Sequence, residues 1–288
     1  MSASVLEATS YTQLLQAPAS DGPYLYPRIF QDTGMMAGRR LKAKFRILQS
    51  LDGYLKKILQ PGEKVFFVSH GILSDAWEHA FMGWVAALIN RKAFVFTSQR
   101  LILVQLKGKF KVWDLKSTID YASIARLKKT LMGRLTIKLH NGKSLAFGGI
   151  PRQDRKFIAT TIQELIGKLQ AEKNKRGETF LCPECGAAVD GYPPACPACG
   201  RAFKQVKKAA LLSLLFPGLG DFYLGHRGLA VMEMLGTALA WIVLMAPDPE
   251  TPRTPGYYLF MIPFLLVFAH GIDCLLTRHI ARKGLYPG

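Results

Sequence analysis

The apolar positions in the middle of the chain recur with the period of β-strands. Four runs are rich in β-branched and aromatic residues and are separated by turn residues: "EKVFFVSH", "AFVFTSQRLILVQL", "KFKVWDL" and "RLTIKLHNGKSLAFGG". In the last run, apolar residues alternate with polar ones from Leu135 to Leu139, and Asn141 and Gly142 follow. Alternation ending at an Asn-Gly pair predicts a hairpin with one buried face.

Helical periods flank these strands. Residues 39–60 form a predicted basic amphipathic helix, which either packs on the following domain or lies on a membrane surface. A second helix is predicted after Pro151. The two apolar stripes are Ile47, Leu51, Leu55 and Ile58 in the first helix, and Ile158, Ile162, Leu165 and Leu169 in the second. Several strands and one terminal helix predict a small sheet or barrel plugged by that helix, over residues 61–172.

Two other segments interrupt or precede this pattern. Residues 1–38 show no sustained period and contain scattered Pro, Gly and Ser, so we predict a flexible lead. Residues 74–90 predict a short helix that carries Trp77 and Trp84 on its apolar face. This helix either caps the core or places its tryptophans in the headgroup layer of a membrane, since it is too short to span one.

The last part of the chain contains the longest apolar runs. Residues 228–246 and 257–276 are each long enough to cross a bilayer, which takes about 20 residues. The shorter run before them is interrupted by Pro217 and Asp221, and we predict an interfacial or re-entrant segment over residues 205–227. The alternative is a third span over residues 209–225, which would place the basic C-terminus outside the cytoplasm. The sequence therefore predicts a two-span transmembrane hairpin over residues 228–288.

The basic residues around these runs predict the orientation of the hairpin. Lys207 and Lys208 precede the spans, and Arg278, Arg282 and Lys283 follow the last apolar residues. Because basic loops stay on the cytoplasmic side, both termini are expected in the cytoplasm, with the hairpin in the cell (inner) membrane. The first residues of the sequence lack the pattern of a secretory signal.

A cysteine-rich segment lies between the strand region and the apolar tail. Cys182 and Cys185 form one Cys-x-x-Cys pair, and Cys196 and Cys199 form another, within a predicted ribbon over residues 180–204. Four thiolates at this spacing favour a closed tetrahedral Zn²⁺ site with a structural role. Two disulfides or a redox-active Cys-x-x-Cys are the alternatives.

The formal net charge of +18 lies almost entirely before the apolar tail. After Lys208 the basic and acidic residues balance: Arg227, Arg253, Arg278, Arg282 and Lys283 against Asp221, Glu233, Asp248, Glu250 and Asp273. A basic soluble part attracts an anionic membrane or nucleic acid, and the membrane tether favours the former. The candidate residues for binding lipid or a protein partner are Lys107, Lys109, Lys128, Lys129 and Arg134, with Trp77 and Trp84.

Catalytic motifs are absent from the sequence. It contains no phosphate-binding loop, no metalloprotease His-Glu spacing and no paired histidines at ligand spacing. Three polar residues lie within the predicted spans: Glu233, His270 and Asp273. They either form hydrogen bonds between the helices or handle protons or ions.

Three resemblances to known families accompany these patterns. The motifs "PGEKVFFVSHG", "AFVFTSQRLILV" and "YASIARLKKTLMGRLTIKLHNGKSLAFGGIP" resemble the bacterial pleckstrin-homology-like domains, over residues 61–168. The cysteine pairs resemble the short zinc ribbon of many prokaryotic proteins. The stretch "GLGDFYLGHRG" and the ending "GIDCLL" resemble a small bacterial transmembrane hairpin domain marked by a Phe-Tyr-Leu-Gly motif. These resemblances imply binding or oligomerising modules and no catalytic residues.

Together the patterns predict a multidomain membrane protein of three modules: a β-rich pleckstrin-homology-like module with a C-terminal helix, a small four-cysteine zinc ribbon and an α-helical transmembrane hairpin. We expect a non-enzymatic binding or scaffold protein whose partners are anionic lipid, another protein or a second copy of itself. One alternative is a membrane-tethered regulator that binds nucleic acid. The other is an accessory subunit of a transporter or enzyme that uses the intramembrane acids.

Overall fold

The computed structural model describes residues 10–16, 22–32, 36–73, 78, 83, 85–130, 133–169, 177–246 and 254–288. The chain divides into two compact units, Met1–Asp190 and Gly191–Gly288. Candidate residues Trp77 and Trp84 lie outside the described residues, as does the side chain of Lys109.

The first unit combines one sheet with helices. Its helices are α1 (Tyr11–Gln16), α2 (Tyr26–Ile29), α3 (Ala37–Ile58), α4 (Val85–Ile89) and α5 (Arg152–Leu169). Its strands are β1 (Val65–Leu73), β2 (Arg91–Thr97), β3 (Arg100–Lys107), β4 (Lys111–Asp120), β5 (Ile124–Lys129), β6 (Leu135–Leu139), β7 (Ser144–Gly148), β8 (Glu178–Leu181) and β9 (Ala188–Val189).

All nine strands form one antiparallel sheet in the order β5-β6-β7-β1-β2-β3-β4-β8-β9. The predicted hairpin joins β6 to β7, and Gly142 has a φ of 88°, a left-handed conformation that glycine adopts without strain. A bulge lies between Val65 and Phe67 in β1. The bulge places Phe66 and Phe67, which are consecutive, in the same core.

The sheet has a hydrophobic core on each face. On β2, Ala93 and Val95 belong to one core, whereas Phe94 and Phe96 belong to the other. The first core is completed by α1, α2 and α3, and the second by α5 together with β5, β6 and β7. Because both faces are covered, the central strands are apolar at nearly every position.

One sequence prediction differs from this arrangement, and another is narrowed by it. The predicted flexible lead over residues 1–38 is wrong for its described parts, because Leu14, Tyr24 and Ile29 are buried in the first core. Of the predicted sheet or barrel, the structure has the sheet, and the terminal helix covers one of its faces. A sheet with two apolar faces requires a covering layer on each face, and the N-terminal helices form the second layer.

The second unit is helical: α6 (Val206–Leu215), α7 (Leu219–Leu224), α8 (Arg227–Met245) and α9 (Pro255–Ala281). Helix α6 ends before Pro217, and Gly218 follows with a φ of 89°. A Cβ at Gly218 would lie 2.5 Å from the carbonyl oxygen of Ala230, so only glycine fits this turn. Helix α9 contains a π-helical segment, Leu266–Gly271.

Among the described residues, α8 and α9 are long and apolar enough to cross a membrane. Their outer surfaces are strongly apolar, and the side chains of Leu235 and Leu259 are 66% and 80% exposed. A surface of this kind is unfavourable in water and suits a lipid environment.

Candidate metal centre and charged surfaces

The two cysteine turns have the same backbone geometry. In the first turn, Cys182 N–H donates to Ala187 O at 2.8 Å, and Gly186 N–H donates to Cys182 O at 3.0 Å. In the second turn, Cys196 N–H donates to Arg201 O at 2.8 Å, and the Gly200 N–H donates to Cys196 O at 2.9 Å. The two glycines have φ values of 76° and 73°, so each turn needs glycine at the same place.

These turns bring the four cysteines together. The sulfur atoms of Cys182, Cys185, Cys196 and Cys199 all lie within 4.8 Å of one another. Four sulfurs bound to one tetrahedral metal are about 3.8 Å apart when each metal–sulfur bond is about 2.3 Å. The donor set therefore fits a metal ion, and the described residues provide four soft ligands for it.

The first cysteine turn is built onto the sheet of the first unit. Strand β8 leads into it and pairs with both β4 and β9. Lys116 Nζ donates to Pro183 O at 2.9 Å, and the Tyr54 hydroxyl donates to Cys182 O at 3.4 Å. A Cβ at Gly186 would overlap a methyl carbon of Ile58, which shows how closely the turn approaches α3.

The second cysteine turn is held within the second unit by the end of the chain. Ala195 and Ala202 form an isolated antiparallel bridge, and Phe203 forms another with Pro287. Gly288 N–H donates to Ala202 O at 2.9 Å. Short bridges of this kind bury little apolar surface, so a metal would contribute much of the stability of this turn.

The polar residues of α8 and α9 form part of a hydrogen-bonded network in the second unit. The carboxylate oxygens of Asp221, Glu233 and Asp273 lie within 4.8 Å of one another. The Thr277 hydroxyl donates to Asp221 Oδ2 at 2.8 Å, and Gly218 N–H donates to Asp273 Oδ2 at 3.0 Å. These contacts join the turn after α6 to α7 and α9, which favours an interhelical structural role.

His270, in the π-helical segment, also connects helices. Trp241 Nε1 donates to His270 Nε2 at 3.3 Å, and His270 Nδ1 lies 3.0 Å from Leu214 O. These contacts join α6, α8 and α9 through one imidazole ring. The sequence identified His270 as a polar residue within a predicted span, but it did not identify the partners of His270, which lie on two other helices.

The exposed basic candidates are divided between two places on the sheet. Lys128, Lys129 and Arg134 lie at the same end of the β5–β6 pair, where Lys129 is in register with Leu135. Lys107 ends β3, and three strands separate β3 from β6 in the sheet. Its ammonium group lies 5.1 Å from the ring centroid of Trp113. The sequence candidates are therefore not one continuous patch.

The structure adds two cations to the β5–β6 group. Arg126 and Lys138 are directly opposite each other in the register, and both are exposed. Their strands turn Leu127 and Ile137 into the second core, so the cations lie on the outward face. Strands β5, β6 and β7 contain no acidic residue. We call Arg126, Lys128 and Lys138 the outward basic face.

Two buried ion pairs were not anticipated from the sequence. Lys44 Nζ lies 2.9 Å from Asp154 Oδ1, with side chains 2% and 4% exposed. Glu63 accepts hydrogen bonds from the Thr97 hydroxyl at 2.6 Å and from Arg100 Nε at 3.1 Å. Burial alone would raise the pKa of Glu63, but the Arg100 guanidinium and the Thr97 hydroxyl hold it below its ordinary value of 4.5.

Comparison with known proteins identifies neither a family nor a fold for this chain. No protein-family model matches the chain, and no curated protein matches it. One solved structure, the C-terminal domain of an unknown protein from Leishmania infantum, is similar over 41% of this chain and 94% of that chain. The two are 14% identical with a TM-score of 0.28, a level of similarity that supports no conclusion about fold or function.

Proposed function

We propose that the protein is a membrane-anchored, non-enzymatic binding or scaffold protein. Its first unit contains a cytoplasmic module like the pleckstrin-homology domains, its cysteines hold a structural Zn²⁺, and its second unit is anchored in the inner membrane by two spans. The module binds an anionic bilayer through the outward basic face. In this proposal the chain recognises the membrane surface and catalyses no reaction.

The observation that carries this proposal is the Arg126–Lys138 pair. Like charges directly opposite each other on neighbouring strands destabilise a sheet by about 0.2–1 kcal/mol. The cost is offset when an anion lies against both cations, and Lys128 extends the same face. A basic residue near an anionic leaflet contributes about 1 kcal/mol, so three of them provide substantial attraction once the chain is tethered.

The anchor is supported by the composition and the position of the helices. Helices α8 and α9 have the length and apolar character of spans. Basic residues precede α8 and follow the apolar part of α9, whereas the connecting sequence, "PDPETPRTPG", contains Asp248 and Glu250 against a single Arg253. This distribution favours a hairpin with both ends in the cytoplasm.

Zinc is the metal that the ligand set favours. Four thiolates form a soft, closed tetrahedral site and provide no open position for a substrate. The site is therefore assigned a structural role, which agrees with its place between the sheet and the helical unit in the sequence.

Vesicle sedimentation of a fragment of residues 1–204, which retains all four cysteines, tests the proposal. Bound protein should increase with anionic lipid and decrease with salt. Replacing Arg126 and Lys128 with glutamate should weaken binding by at least about tenfold, since two favourable interactions of about 1 kcal/mol each are lost and replaced by repulsion.

The matched control reverses the same number of charges on α3, at Lys42 and Arg46, which are exposed on a helix that covers the opposite core. This control should bind nearly as well as the natural sequence. An equal loss of vesicle binding in both double variants would mean that net charge alone drives binding. Failure to bind anionic vesicles at low salt, with salt-dependent binding to duplex DNA, would replace the proposal with the nucleic-acid alternative.

A further inference from the structure

A cavity of about 430 Å³ opens on the first unit, and its lining includes no residue of the outward basic face. Its lining comes from the segment around α2, from β1 and from the first turns of α5. This volume lies in the range of about 300–1,000 Å³ that small-molecule sites occupy. Neither the cysteine site nor the proposed membrane interaction uses these residues.

One wall of the cavity is aromatic. Phe67 and Phe157 stack with their ring centroids 4.2 Å apart. Phe67 is buried, whereas Phe157 is half-buried. Rings held in this way offer a rigid apolar surface to a ligand.

The acidic residues of the lining are already neutralised by the protein. Asp32 accepts two hydrogen bonds from Arg40, at 2.6 and 2.9 Å. Asp154 pairs with Lys44 at 2.9 Å and accepts a hydrogen bond from the Ser69 hydroxyl at 2.6 Å. Neither carboxylate is available to balance another cation in the cavity.

Two cations in the lining have no acidic partner among the described residues. Arg28 and Lys156 are exposed, and neither forms an ion pair with any residue that the structure describes. Because Arg40 and Lys44 already neutralise the lining acids Asp32 and Asp154, Arg28 and Lys156 leave a local charge of +2. The cavity thus combines an aromatic wall with two uncompensated positive charges.

We infer that this cavity binds a phosphomonoester of an apolar group. A phosphomonoester carries close to two negative charges at neutral pH, which matches the charge of the cavity better than a carboxylate does. Arg28 and Lys156 hold the phosphate, as guanidinium and ammonium groups commonly do. The apolar group lies against the half-buried Phe157, whose ring is held in place by stacking on the buried Phe67. A lysophosphatidate-type lipid and a soluble phosphate ester share this chemistry.

Isothermal titration calorimetry of the full chain in phosphatidylcholine nanodiscs tests the site, with phenyl phosphate and hexyl phosphate as probes. We expect saturable binding of one probe molecule per chain, and weaker binding of inorganic phosphate and of benzoate. Arg28→Gln and Lys156→Gln should each weaken binding about tenfold, because each removes a charge-assisted contact. Gln31→Trp should block the cavity mouth without changing its charge.

Lys111→Gln is the matched control, because Lys111 is exposed and does not line the cavity. The affinity of this variant for each probe should stay within about twofold of that of the natural sequence, since Lys111 makes no contact in the site. Absence of saturable binding of both probes would overturn the inference, as would tighter binding of benzoate or an equal loss in Lys111→Gln. Thermal unfolding of each variant confirms that the fold is retained.

Lysophosphatidate added to the nanodiscs separates the two sources of the ligand. Displacement of phenyl phosphate by the lipid would assign the site to a lipid headgroup, and retention of phenyl phosphate would assign it to a soluble ester. Because lysophosphatidate makes the bilayer anionic, the displacement is repeated in the variant with Arg126 and Lys128 replaced by glutamate. These residues lie outside the cavity, so displacement from the cavity should persist in that variant.

Discussion

Replacing Cys196 and Cys199 together with serine should release the metal and unfold the second cysteine turn. Serine hydroxyls are poor ligands for zinc, and two thiolates from the first turn cannot complete a tetrahedral site. Apparent zinc-binding energies of small cysteine sites are about 10–16 kcal/mol, far above what the two short bridges at Ala202 and Phe203 contribute. Elemental analysis should find about one zinc per natural chain and none in the variant.

Hydrogen exchange locates the structural effect. Amides of residues 195–203 should lose protection in the double variant, whereas β1 to β3 should keep theirs, because neither core includes a cysteine among its described residues. Cys274→Ser is the matched control, since Cys274 is a cysteine outside the cluster. Full zinc retention by the double variant would show that the four cysteines do not form the metal site.

The second large effect is expected at the buried pair of Lys44 and Asp154. Asp154→Ala leaves the Lys44 ammonium buried without its counter-ion and removes the acceptor of the Ser69 hydroxyl. Removing one partner of a buried ion pair costs about 3–5 kcal/mol. Urea unfolding of residues 1–204 should show a decrease of this size in the free energy of unfolding.

A second substitution distinguishes charge from lost packing. In the double variant Lys44→Met with Asp154→Ala, no buried charge remains, and most of the lost stability should return. Lys143→Ala removes the surface partner of Glu178, and the Lys143 side chain is 45% exposed. This substitution should lower the free energy of unfolding by no more than about 1 kcal/mol. If the free energy of unfolding decreased as much in the double variant as in Asp154→Ala alone, the charge argument would be contradicted.

Local patterns in the sequence predicted local features well. The alternation from Leu135 to Leu139 and the Asn141–Gly142 pair predicted the β6–β7 hairpin, because period and turn chemistry act within a few residues. The repeated cysteine spacing predicted the cluster for the same reason. Pro217 predicted the end of α6.

Long-range features could not be predicted from such patterns. Nothing local links Lys44 to Asp154, and nothing local shows that Leu14 covers the sheet. One available signal was the run "LILVQL", which is apolar at almost every position, since a strand of this kind requires a covering layer on both faces. That signal indicated a second layer, but not which segment forms it.

Photo-crosslinking of the full chain measures the central claim most directly. A benzophenone amino acid placed at Thr136, in register with Lys128, should crosslink to lipid in nanodiscs that contain phosphatidylserine and not in pure phosphatidylcholine. The same amino acid at Arg46, on α3, should give little lipid adduct in either. Absence of a lipid adduct at Thr136 in phosphatidylserine, or an equal adduct at Arg46, would contradict a bilayer-facing basic surface.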